Sequence, residues 1–191
     1  MNQKAIVIYV VLLTVSLAAF AQGAAPSATD SPESVVLGYM EALKSGQYLK
    51  GAELMHPEAL EKFRGMLLPI VEETAAGGAE ESFLPLFRGV SDLAALKKLS
   101  PAEFFAAFFG GIVDNAPGIA EGLSSGSITP LGSVPEGDIL HFVCRTSVTM
   151  QGLSLTEMEV VSLKRSQGNW RVLISGKMEG IAQALRNAQS E

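Results

Sequence analysis

A single cysteine, Cys144, stands in 191 residues. That excludes an internal disulfide and a thiolate-rich zinc site. Charge is sparse too, with Asp, Glu, Lys and Arg at 18% and a formal net charge of −6. The Lys and Arg residues form no cluster, which argues against a nucleic-acid-binding face. Only two histidines occur, His56 and His141, and neither has a partner at metal-ligand spacing. No metal and no cofactor is expected, and both histidines read as surface or interface residues. Apolar residues, by contrast, make up 48% of the chain. That is enough for a real core in one domain and too much for a disordered chain.

The apolar residues are unevenly placed. Lys4 is followed by an uncharged run from Ala5 to Ala21, ending in Ala19-Phe20-Ala21. As a helix the run spans roughly 25 Å, short of the ~30 Å hydrocarbon core of a bilayer. Its small-x-small end matches a signal peptidase site. Residues 1–21 are therefore expected to be a cleaved signal peptide. Export to the periplasm or beyond follows, with no stable membrane anchor left after cleavage. Residues 22–30, rich in Ala, Ser and Pro, read as a flexible tether, and 31–191 as one folded domain.

From Ser31 the pattern is helical. Ser31-Pro32-Glu33 combines a cap, a first-turn proline and an acid. Val35, Val36, Tyr39, Met40 and Leu43 follow at helical spacing as far as Gly46. A shorter helix is expected over 47–55, burying Tyr48, Ala52 and Met55. His56-Pro57-Glu58 opens another, with Leu60, Phe63, Met66 and Leu67 apolar and Pro69 kinking or ending it. Gly77-Gly78 is a break, and 79–99 read as short helical pieces. Ser100 and Glu103 form a capping box. The helix they open carries Phe104, Phe105, Phe108, Phe109 and Ile112, and 117–123 add a turn or two.

Beyond Gly126 the period changes to that of strands, expected over 127–134, 138–150, 153–165 and 169–175. A helix over 178–188, with Ile181 and Leu185 on one face, closes the chain. Taking Gln151-Gly152 and Gln167-Gly168 as two-residue turns sets the register. Phe142 then faces Val161, Leu163 faces Val172, and Val161 faces Ile174. Two independent turns collect Leu140, Phe142, Cys144, Val148, Leu163, Trp170 and Val172 on one face. The expected class is α+β, with helices packed on an antiparallel sheet.

Several residues stand out chemically. Glu157 and Glu159 fall on the apolar sheet face, where they suit a cationic ligand or acid–base work. A β-bulge near Met158 would instead turn them to solvent and bury Met158 and Val160. Phe104, Phe105 and Phe108 either roof a ligand cavity or form plain core. Tyr39 either offers its hydroxyl to a pocket or sits at the edge of the core. Gly122–Gly126 matches G-x-S-x-G, but a nucleophile elbow needs the strand first and the helix after, the reverse of the order here. Cys144 reads as a buried, inert thiol.

The opening, Val35-Val36-x-x-Tyr39-Met40-x-Ala42-Leu43-x-x-Gly46 followed by Tyr48 through Met55, resembles that of the NTF2-like superfamily. The resemblance covers about 25 residues, and the strand-rich end agrees in order. It implies a strongly curved sheet forming a cone with an inner pocket, enlarged here by a helical insert over 57–123. The superfamily includes ketosteroid isomerases and SnoaL-type cyclases. Tyr39 matches the isomerase's oxyanion-hole tyrosine, whereas Phe63 and Val161 stand where its two aspartates belong. The cyclases' His-Asp pair has no assigned counterpart. With that set incomplete, no catalytic residue is assigned.

These readings converge on an exported, non-catalytic module. It binds a small apolar or amphipathic molecule or a partner protein, with Tyr39, Phe104, Phe105, Phe108, Glu157 and Glu159 as candidate ligand-binding residues. The alternative is an isomerase- or cyclase-type enzyme using Tyr39 with Glu157 or Glu159. The other sheet face places Val143, Met158, Val160 and Leu173 within a polar rim, the anatomy of a weak homodimer interface, which the resemblance also suggests. Export is tested by intact mass: the mature protein is expected to begin at or near Gln22, and retention of Lys4 contradicts it.

Overall fold

The structure is a computed structural model that describes residues 31–78, 80–150, 152–176, 178 and 180. The expected signal peptide and tether, Gln151 of the first turn, and residues 181–188 of the expected last helix lie outside the described residues. Helices come first: α1 (Pro32–Lys44), α2 (Tyr48–Glu53), α3 (Pro57–Ala76), α4 (Glu80–Phe83), a 3₁₀ turn (Leu84–Leu86), α5 (Leu93–Lys98), α6 (Pro101–Asn115) and α7 (Pro117–Ser125). Strands β1 (Ser127–Glu136), β2 (Ile139–Met150), β3 (Leu153–Ser166) and β4 (Asn169–Val172) follow. They form one antiparallel sheet in the order β1-β2-β3-β4. The protein is of the α+β class, with its helices packed on one face of that sheet.

The helix starts are local chemistry. The Ser31 hydroxyl accepts from the Ser34 N–H at 3.2 Å. At α6 the Ser100 hydroxyl accepts from the Glu103 N–H, and the Glu103 carboxylate accepts from the Ser100 N–H at 2.8 Å. The Ser100 hydroxyl also donates to that carboxylate at 2.7 Å, and this bond first, with the Ser100 N–H second, holds the Glu103 carboxyl below its ordinary range. Pro69 neither ends nor breaks α3, which runs on to Ala76. The proline is exposed, so water can take up the carbonyl it leaves unpaired, while buried Ile70 and Val71 beyond it hold the last turns in place. α7 is longer than the turn or two expected.

The helical core is aromatic. Phe63 of α3 meets Phe104, Phe105 and Phe108 of α6 at centroid separations of 6.2, 5.3 and 5.4 Å, edge to face. Phe87 closes the cluster at 5.0 Å from Phe104 and 5.4 Å from Phe108. Tilted and edge-on pairs of this kind are favourable beyond their buried area.

Main-chain bonds stitch this layer to the sheet. The His56 N–H donates to the Val172 carbonyl at 2.8 Å, and the Val172 N–H donates to the Leu54 carbonyl at 2.9 Å. His56 is consequently buried, not a surface residue as its sequence context suggests. Its Nδ1 accepts from the Glu58 N–H at 3.3 Å and caps α3.

In the sheet, the β2–β3 register is continuous from Ile139–Lys164 to Met150–Leu153. Phe142 pairs with Val161, and Leu163 with Val172, as the two turns require. Gln167 and Gly168 have φ of 51° and 83°, the left-handed pair of a type I′ turn. β4 ends at Val172, short of the expected 175. One more main-chain bond, Leu173 N–H to the Ser162 carbonyl, extends the pairing before the chain leaves the sheet. Phe142, Cys144, Thr146, Val148, Leu163 and Val172 are buried on the inward face, and Val161 and Ile174 are half-buried against the same core.

One glycine marks the closest approach. A Cβ on Gly111, inside α6, would collide with the Leu86 carbonyl and lie 2.7 Å from the Phe87 nitrogen. Helix propensity alone favours Ala over Gly by about 0.5–1 kcal/mol. Gly111→Ala is nevertheless expected to destabilise the fold by about 1–3 kcal/mol, because the atoms it meets are backbone. Chemical denaturation measures this, and a gain in stability contradicts the packing of α6 on the 3₁₀ turn.

Candidate functional site

α1 crosses the inward face beside β4, and α7 covers β2. Between α1, α6, α7 and β3 lies a cavity of about 80 Å³. Tyr39, Met40 and Leu43 line it from α1, Phe109 from α6 and Leu123 from α7. Glu159 and Val161 line it from β3, and Ile174 and Met178 from the chain after β4. The volume admits several waters, or one very small molecule, at roughly 10–15 Å³ per water. Drug-sized sites run to about 300–1,000 Å³.

The inward position of the glutamates follows from the unbroken register. Glu159 pairs with Cys144 and Glu157 with Thr146, both buried on β2. There is no bulge at Met158, which is exposed on the outer face with Val160. The two carboxylates then part company. Glu159 reaches the cavity, whereas Glu157 lies two pairs further toward the hairpin tip.

Tyr39 and Glu159 thus meet at one cavity. Burial pushes the Tyr39 phenol well above its usual value, and the Glu159 charge adds to the shift. At neutral pH the site therefore presents a neutral phenol, able to donate, beside the carboxyl group of Glu159. Burial likewise raises the Cys144 thiol to about 11, with Glu159 and then Glu33 contributing. Cys144 is fully buried, which suits an unreactive thiol.

The other candidates are placed as follows. Phe104, Phe105 and Phe108 are buried in the aromatic cluster, and the ring of α6 that lines the cavity is Phe109. Its ring neighbours, Phe105 stacked and Tyr48 tilted, each sit 5.5 Å away. Val143 pairs with Val160 on the outer face, Met158 lies beside them, and Leu173 is half-buried at the rim. His141 on that face shares hydrogen bonds at 2.8 Å with Ser162 through Nδ1 and with Glu136 through Nε2. Ser124 of the G-x-S-x-G match ends a helix and bonds to the Glu121 carbonyl, far from elbow geometry. Phe63 is core, and Val161 is an apolar wall of the cavity.

A second, larger depression of about 410 Å³ opens on the surface among Met55, Leu60, Pro101 and Arg171. It shares Met55 with the smaller cavity and holds none of the sequence-derived candidates. Among the described residues no group of three or more His, Cys, Asp or Glu is placed to hold a metal ion, and no helix is long and apolar enough to cross a membrane. Comparison with protein-family models, curated proteins and solved structures finds no match to this chain.

The raised phenol and thiol have a pH consequence. Both groups are more acidic unfolded than folded, so their contribution to stability is complete below their unfolded values, near 9 for Cys144 and 10 for Tyr39. It is lost as pH climbs above them. Tyr48, also raised mainly by burial, adds to the same loss. Denaturation midpoints are expected to fall between pH 9 and 11, and less steeply in Tyr39→Phe. An identical fall in wild type and variant contradicts the burial of the Tyr39 hydroxyl.

Proposed function

We propose that this protein is an exported NTF2-like module whose inner cavity binds a small apolar or amphipathic molecule. The observation that carries the reading is the meeting of Tyr39 and Glu159 at one otherwise mostly apolar cavity between α1 and β3. Apolar walls supply affinity without direction, and two polar groups fix the orientation of what enters. A phenol donor and a carboxylate acceptor suit a ligand with one acceptor atom and one hydroxyl or amine. At about 80 Å³ the cavity holds only a few heavy atoms, so a larger ligand must displace Met178 or Ile174 at its border. The opening helices, the meander and the apolar run 5–21 support the rest of the reading.

A second reading, an isomerase- or cyclase-type enzyme, draws on the same pair. Glu159 would serve as base and Tyr39 as the donor to a developing oxyanion. Binding is preferred because Val161, an apolar wall of the cavity, stands where the resemblance puts the isomerase's second oxyanion donor. Native mass spectrometry of the protein purified from its own host separates the outcomes. The expected result is a retained small molecule in the wild type, depleted in Glu159→Gln. A bare chain in both contradicts the binding reading. Conversion of the released molecule by wild type but not by Glu159→Gln favours the enzyme.

The outer sheet face supports a weak homodimer. Val160 and Met158 are 51% and 57% exposed there, with Val134 at 57% on the neighbouring pairs. His141, Arg145, Lys164 and Arg171 surround them. An apolar centre with a polar rim is usual for an interface. Val160→Glu is expected to convert the dimer to monomer in sedimentation at high micromolar concentration. A wild type that is already monomeric there contradicts the dimer.

A further inference from the structure

The surface depression of about 410 Å³ holds a different chemistry from the inner cavity. Its volume falls within the ~300–1,000 Å³ that takes small organic ligands. Its floor is apolar: Met55 and Leu60 are buried, and Ala102 of α6 is half-buried. Charge stands around that floor, with Glu53 from the end of α2, Glu61 from α3 and Arg171 from β4. Both glutamates are exposed, and Arg171 is half-buried. The main-chain bridge between Met55 and Val172 fixes Arg171 beside the floor. One Nη of Arg171 donates to the Trp170 carbonyl at 3.1 Å, which anchors the guanidinium and leaves it further N–H donors.

Among the described residues, none of these three charges belongs to an ion pair. Their neighbours differ. Lys164, paired with Arg171 across the β3–β4 ladder, lies 3.6 Å from Glu58 and 3.4 Å from Asp138. The charges outside the depression are thus matched to one another, and those around it are left for something else. A guanidinium fits a carboxylate through two parallel N–H···O bonds, and carboxylates accept from an ammonium. A phosphate or dianion would face two glutamates, and a purely cationic ligand would face Arg171. A ligand carrying one charge of each sign on an apolar body meets every group with its complement.

We propose that this depression binds a short apolar peptide with both ends free. Its carboxylate meets Arg171, its ammonium meets Glu53 and Glu61, and its apolar side chains lie on Met55, Leu60 and Ala102. A dipeptide suits the site better than a single amino acid, which carries both charges on one carbon. Two residues hold the charges apart by about 7 Å, room for an apolar floor between them. The walls are elements already fixed by the core, so little of the cost of ordering falls on the protein. Met55 is the one residue shared with the inner cavity. Peptide binding here does not depend on what the inner cavity holds, so its failure and failure of that reading are seen separately.

Calorimetric titration of the full chain at pH 7 tests it, with L-leucyl-L-leucine as the probe. Three comparison probes each lack one feature: the C-terminal amide, the N-acetyl derivative and glycylglycine. The dipeptide is expected to bind saturably, and each comparison probe about threefold to tenfold more weakly. Arg171→Gln is expected to bring the dipeptide down to the affinity of its amide and to leave the amide unchanged. Glu53→Gln with Glu61→Gln is expected to bring it down to the affinity of the N-acetyl derivative. Both glutamates are exposed, so the second variant keeps its fold even where Arg171→Gln does not. No saturable binding of the dipeptide, an amide bound as tightly as the dipeptide, or preferences that persist in the folded variants, each overturns the proposal.

Discussion

The continuous pairing of β2 with β3 is the constraint on which the rest of the structure depends. Side chains alternate along a strand, so a shift of one residue would exchange the two faces of the sheet. The register keeps Phe142, Cys144 and Leu163 under the helices and sends Met158 and Val160 to the outside. It also obliges two carboxylates to point inward. One of them, Glu159, meets Tyr39, and the electrostatics of the cavity follow from that meeting. Irregularity is confined to β1, where the pairing shifts between Pro130 and Gly132, away from the cavity.

The helices are fixed to this sheet by two kinds of force. Rings from α3, α6 and the segment between them form an aromatic cluster that holds the helical layer together. The main-chain bonds between Leu54, His56 and Val172 then tie the layer to the edge strand β4. Hydrophobic burial is non-directional, whereas these bonds are directional, so together they set both the strength and the position of the contact. α1 lies beside that junction, which places Tyr39 over β3.

Features set by near neighbours were legible in the sequence. The caps at Ser31 and Ser100, the two Gln-Gly turns and the resulting face of Phe142, Val161 and Val172 depend on residues within a few positions. Features set by distant partners were not. His56 looks like a surface residue beside a proline until the β4 backbone closes over it. Thr146 is buried in the apolar face because its hydroxyl can donate to the Glu157 carbonyl at 3.3 Å across the ladder. Which glutamate reaches the cavity depends on where the helical layer ends, and no local pattern states that. The same holds for α6, whose spacing marks four phenylalanines alike although only Phe109 faces the cavity.

The central claim is that Tyr39 and Glu159 act on one another across a shared, poorly solvated space. A double-mutant cycle of stability with Tyr39→Phe and Glu159→Gln tests it most directly, since neighbouring groups show interaction energies of about 0.5–3 kcal/mol while independent sites add. A coupling in that range is expected. Additivity within about 0.3 kcal/mol would contradict it and leave Tyr39 an ordinary core tyrosine.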